Sequence, residues 1–118
     1  MTERTLNDEP MVLTPGQHVF KTPEAVVPVA FHWRDELAKG HLKGHRITAS
    51  RWAVVNAHPA RADRSLCVEG LEIGRDGLTT HGTLLGGTSG GRYVLTNSIE
   101  TTGGARIDRA VIVACVPS

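Results

Sequence analysis

Aromatic residues are scarce in this 118-residue chain: two Phe, two Trp and one Tyr. Cysteine is scarcer still. Cys67 and Cys115 stand far apart with no CxxC spacing, which excludes a disulfide-stapled scaffold and predicts reduced, packed thiols. No charge of one sign dominates, since thirteen Lys and Arg stand against twelve Asp and Glu for a formal net charge of +1. That balance, with its scattered arginines, argues against a dedicated nucleic-acid binder, which concentrates positive charge. No apolar run approaches the ~20 residues that span a bilayer. The polar start, Met1 to Pro10, lacks the hydrophobic stretch of a secretory signal. Neither nucleic acid nor membrane is an expected partner.

What the chain does have is small and branched residues: thirteen Gly, twelve Val and twelve Thr. Val and Thr crowd a helix at χ1 and pack well on a pleated surface, so an all-β protein is expected. A chain of 12.7 kDa makes one domain and buries enough surface for its own core.

Residues 1–22 carry early charges, Pro10 and Pro15, and no sustained period. Proline lacks the amide hydrogen that helices and central strands use, so this segment reads as an extended N-terminal arm preceding a domain over 23–118. The arm is either a disordered terminus or one that lies across a neighbouring subunit. Val12, Leu13 and Phe20 are odd choices for a solvated tail and are candidate subunit contacts.

Glu24 to Trp33 is an apolar extended segment in which Pro28 suits an edge strand. Arg34 to Gly40 and His41 to Gly44 make turns, and Arg46 to Val55 reads as a strand. Residues 56–65 form a surface loop. Strands follow over 66–73, 78–85, 92–101 and 106–116, punctuated by Asp76-Gly77, the glycine-rich 86–91 and Thr102-Gly103-Gly104. The apolar run Ala110 to Val116 has no polar face and is expected to be covered on both sides. About seven short strands predict an antiparallel β-sandwich.

Tyr93 follows a glycine-rich corner and opens a strand whose inward positions are Tyr93, Leu95, Asn97 and Ile99. A tyrosine there, bonded back to its corner through the hydroxyl, is a recurrent device of immunoglobulin-like sandwiches. Trp33, Trp52, Tyr93 and Leu95 are the candidate core, with Trp52 facing the Leu95 position.

Motifs for chemistry are weak. His41 and His45 are four apart, but Gly40 and Gly44 argue against a shared helical face, and no third metal ligand lies at a characteristic spacing. After the glycine run, Arg92-Tyr93 opens a strand where a phosphate-binding loop needs Lys-Ser/Thr and a helix. Neither Ser89 nor Ser98 sits in a Gly-x-Ser-x-Gly elbow. No catalytic residue, metal ligand or cofactor is predicted. In Asp108-Arg109 the adjacent side chains point to opposite faces of a strand. The pair supports the fold at a hairpin base or makes an intersubunit contact.

The stretch from Leu84 to Val113 carries a Gly86-Gly-Thr-Ser-Gly corner, Tyr93-Val-Leu-Thr-Asn97, Ile99-Glu-Thr-Thr-Gly-Gly-Ala-Arg106 and Asp108-Arg-Ala-Val-Ile112 before a final apolar strand. This stretch resembles the C-terminal half of the small phage fiber–tail adaptor proteins. Phe31-His-Trp33, Leu37, Gly40, Ile47, Ser50 and Trp52 match the front half of that family more loosely. The resemblance spans roughly residues 20–116 and departs at the first nineteen residues and the 56–65 loop.

It implies a non-enzymatic, Ig-like component of a tailed-phage virion, made in the host cytoplasm and present in multiple copies in a symmetric assembly. Such a part attaches tail fibers to the tail tube or head–tail connector. The competing expectation is an Ig-like module that recognises a surface glycan or host receptor, although Trp33 and Trp52 sit in strands rather than loop tips.

Overall fold

From Arg92 to Thr101 buried residues alternate with more exposed ones, and Tyr93, Leu95, Asn97 and Ile99 point inward. This period of two is the signature of a strand with one covered face. The computed structural model describes residues 10–57 and 64–117. Within them lie eight strands: β1 (Met11–Leu13), β2 (His18–Lys21), β3 (Val27–His32), β4 (Ile47–Asn56), β5 (Leu66–Ile73), β6 (Thr79–Gly86), β7 (Arg92–Thr101) and β8 (Arg106–Cys115). Short 3₁₀ turns at Glu36–Ala38 and Gly40–Leu42 fall where the sequence placed turns, and no α-helix occurs among the described residues.

The strands form two four-stranded sheets, ordered β1-β3-β6-β5 and β2-β8-β7-β4. Both are mixed. β1 pairs parallel to β3 and β2 parallel to β8, while every other pairing is antiparallel. The purely antiparallel arrangement expected from the hairpin signals therefore holds only from β3 onward. Its exceptions are the first two strands, which enter the sheets by crossing over rather than through hairpins.

Residues 11–21, read in the sequence as part of an extended arm, thus give each sheet one edge strand. Residues 1–9 of that arm, and 58–63 of the surface loop, lie outside the described residues. β3 is flanked by β1 and β6 rather than lying at an edge. Pro28 is tolerated because the β1 ladder covers only Val29 to Phe31, leaving the proline just beyond it.

The inner faces of both sheets meet in a single core containing Phe31, Trp33, Leu84, Tyr93, Leu95 and Val113. A polar centre sits inside this apolar packing. Asn97 is fully buried, and its Oδ1 accepts from Trp33 Nε1 at 3.1 Å and Thr80 Oγ1 at 2.6 Å. Its Nδ2 donates to Ser50 Oγ at 3.0 Å and to the Arg51 carbonyl at 3.1 Å. All four hydrogen-bonding positions of the amide are filled, as burial demands. The partners come from both sheets: Trp33 and Thr80 from the β3–β6 side, Ser50 and Arg51 from β4.

A second link crosses the sheets at the opposite end. Lys21 on β2 is 4% exposed, and its Nζ donates to the Thr22 and Gly86 carbonyls, the latter at the end of β6. Cys67 is exposed and Cys115 buried, and both are free thiols.

Asn97→Ala removes an acceptor from two buried donors and a donor from two acceptors. It should cost about 2–4 kcal/mol in urea unfolding of the purified chain. A loss below about 0.5 kcal/mol, the range of neutral surface changes, would contradict this reading of the core.

Candidate functional site

The corner between β6 and β7 is held from inside. Tyr93 is fully buried, and its hydroxyl accepts the Thr88 amide at 2.9 Å and lies 3.3 Å from Ser65 Oγ. This is the back-bond expected of Tyr93 from its position. The glycines serve packing here. A Cβ at Gly87 would strike Cys115 Sγ, and Gly87 has a φ of 101° that other residues rarely adopt. A Cβ at Gly91 would press on the Tyr93 hydroxyl. The run thus builds a corner packed on side chains, and a strand rather than a helix follows it.

Histidines His18, His32 and His81 sit on three different strands, with His41 and His45 in or beside the 3₁₀ turns. No group of three or more His, Cys, Asp or Glu close enough to hold a metal occurs among the described residues. An opening of about 220 Å³ beside the irregularity in the β5–β6 ladder is lined by Ser50, Leu71, Glu72 and Ile73. Glu72 is the one titratable group in that lining.

Trp33 is 1% exposed and Leu95 fully buried. Trp52 is only partly buried and packs against the core from the side, 5.8 Å from the Phe31 ring. Its register partner is Asn97, whereas Val54 lies opposite Leu95. Trp33, hydrogen-bonded to Asn97 and Thr80, occupies the centre.

The candidate contact residues part company. Val12 is 48% and Phe20 62% exposed, but Leu13 is 3% exposed and belongs to the core. Asp108 is exposed on the outer side of β8. Arg109 points inward, where its Nε donates to Glu36 Oε2 at 3.1 Å and its guanidinium lies 5.5 Å from the Trp33 ring centroid. With side chains only 33% and 24% exposed, this pair seats the Glu36–Ala38 turn on the open end of the core. The ion pair joins residues 73 apart in the chain, so no local pattern announced Glu36.

The feature that single residues did not reveal is an entire sheet face. On the β2-β8-β7-β4 sheet the outward positions of β8 are the half-buried Ala110 and Ile112 and the buried Ala114, because Val111, Val113 and Cys115 point inward. Beside them lie Val94 and Thr96 of β7, then Ala53 and Val55 of β4. Val55 is 60% exposed. The apolar run of β8 was expected to be covered on both sides, yet nothing among the described strands lies over this face. The outer face of the other sheet is more mixed: it sets Glu69, Glu72, His81 and Thr83 beside Val12, Pro28, Ala30 and Leu85.

An all-β protein with a pinned interior and one apolar outer sheet face is the class that fold and surface together define. The chain matches the family model described as podophage GP4 fiber-tail adaptor protein gp77 over residues 21–114, and it belongs to that family of structural phage adaptors. Among solved structures it is similar to the cysteine protease inhibitor EhICP2 from Entamoeba histolytica. The TM-score is 0.50 at 9% identity, covering 88% of this chain and 92% of that one, which is a likeness of fold alone. No curated protein sequence matches the chain.

Placed inward and paired, Arg109 should matter to the fold while its neighbour should not. Arg109→Ala is expected to cost about 1–2 kcal/mol through the lost partly buried ion pair and ring contact. Asp108→Ala should stay within about 0.5 kcal/mol. Equal costs in thermal or urea unfolding would contradict these placements.

Proposed function

We propose that this protein is a non-enzymatic adaptor in the virion of a tailed phage, attaching tail fibers to the tail or head–tail connector in several copies. The observation that carries the reading is the family match over residues 21–114, which takes in β3 to β7 and most of β8. Family membership supports a virion component that meets other virion proteins. The attachment points, the copy number and synthesis in the host cytoplasm are this reading's own additions. Val12 and Phe20, both well exposed on the first two strands, and Asp108 on the outer side of β8 supply side chains for such contacts.

The reading includes an immunoglobulin-like fold. The sheet orders β1-β3-β6-β5 and β2-β8-β7-β4 follow the ABED and CFG division of that fold. In it β3 to β8 stand for strands B to G, and β1 and β2 for a split first strand. Tyr93 falls at the E–F corner, where the tyrosine of that fold bonds back to the chain. The parallel β1–β3 pairing is a departure from an all-antiparallel ABED sheet.

The decisive experiment is to assemble virions without this protein and image them. Particles with intact tails and no attached fibers, restored by adding the purified chain, are the expected result. Normally attached fibers in its absence would overturn the adaptor role. Selective binding of the isolated chain to a glycan, with fibers unaffected, would favour a receptor-binding module instead.

A further inference from the structure

We propose that the outer face of the β2-β8-β7-β4 sheet docks a second copy of this chain, about a twofold axis running along the strands between β7 and β8. The inference does not depend on the adaptor reading. It begins from the apolar outward positions of β4, β7 and β8, which an antiparallel ladder exposed to water would fill with polar residues. Their small size suits close stacking of two sheets, which pack ~10 Å apart.

The charges at one end of the face fit a second copy and fix the axis. Along the strands, Arg51, Ser98 and Asp108 share one outward row, and Glu100 lies opposite Arg106 in the next, where the two already pair within the chain at 3.9 Å. A twofold between β7 and β8 lays each β7 over the other copy's β8. Val94 then meets Ile112, Thr96 meets Ala110, and Glu100 meets Arg106. β4 of the second copy falls one strand spacing outside β8, so its Arg51 reaches Asp108. β2 pairs only with Ile112 to Cys115, and Gly16 before it bonds to the Ala110 carbonyl, so among the described residues this segment stops short of Asp108.

Within one chain Arg51 and Asp108 stand on strands separated by β7, about 10 Å apart. Neither joins an ion pair among the described residues. By symmetry each complementary contact occurs twice. The face measures about 19 Å by 33 Å from strand spacing and rise, or about 600 Å² per copy. That is the low end for a specific interface, so association in the micromolar range is expected.

Sedimentation of the full chain from about 1 to 300 µM should show the mass rising from one chain toward two. Arg51→Asp and Asp108→Arg should each weaken association about tenfold or more, through two lost attractions and two repulsions. The double variant, which restores the complement only between copies, should return to within about threefold of the original. Far-UV circular dichroism checks that each variant is folded. Ala110→Lys, at the centre of the face and clear of both charge rows, should abolish the association. A single-chain mass throughout the range overturns the proposal. So does a doubling that survives Ala110→Lys, or a double charge swap no stronger than the weaker single variant.

Discussion

The buried amide of Asn97 is the interaction on which the rest of the structure depends. Sheets stacked through apolar contacts alone can slide, because the hydrophobic effect is proportional to area and has no direction. Hydrogen bonds have direction. Asn97 accepts from Trp33 and Thr80 of one sheet and donates to Ser50 and Arg51 of its own, so a slip by one residue would strand several buried polar atoms at once. The apolar side chains around it supply the larger part of the driving force, and the amide selects one register for them. Lys21 at the far end adds a second crossing between the sheets. Arg109, paired with Glu36 against Trp33, closes the end nearer the amide.

This arrangement separates two tasks. Apart from the buried Trp52 Nε1, which has no partner among the described residues, the polar groups that would be expensive to leave unpaired are satisfied inside, around Asn97. Apolar groups that could have been buried are left on an outer sheet face, where they cost solubility unless another protein covers them. A chain with that distribution suits a part whose work is contact, in keeping with its membership of a phage adaptor family. A docking part gains from an interior that does not rearrange, since ordering a loose one on binding would subtract from affinity.

Much of the fold was legible in the sequence for a plain reason: β7 alternates strictly, and glycine corners mark the ends of β7 and the start of β8. The inward set Tyr93, Leu95, Asn97 and Ile99 follows from the period alone, and the Tyr93 back-bond from its place after the corner. β1 and β2 were not legible as strands, because three or four residues beside Pro15 and Gly16 carry no period. Their pairing is decided by β3 and β8 far along the chain. The relative depth of Trp33 and Trp52 was hidden similarly. Both lie on inward positions, and only the lateral order of strands puts one at the centre and the other at the flank. Arg109 breaks an otherwise apolar inward row, which invites an outward reading until Glu36 is seen opposite. The outer sheet face was half-visible: the apolar run of β8 was evident, while the lack of a covering strand among the described residues is a property of topology.

The Asn97 centre should organise the fold before any partner arrives. Amide hydrogen exchange, compared between the free chain and the chain in assembled virions, tests this most directly. The slowest amides should be those of Thr96 to Ser98 and their neighbours on β8 in both states, with assembly adding protection elsewhere. If those amides exchange freely in the isolated chain and become protected only in the particle, its partners rather than its core organise the fold.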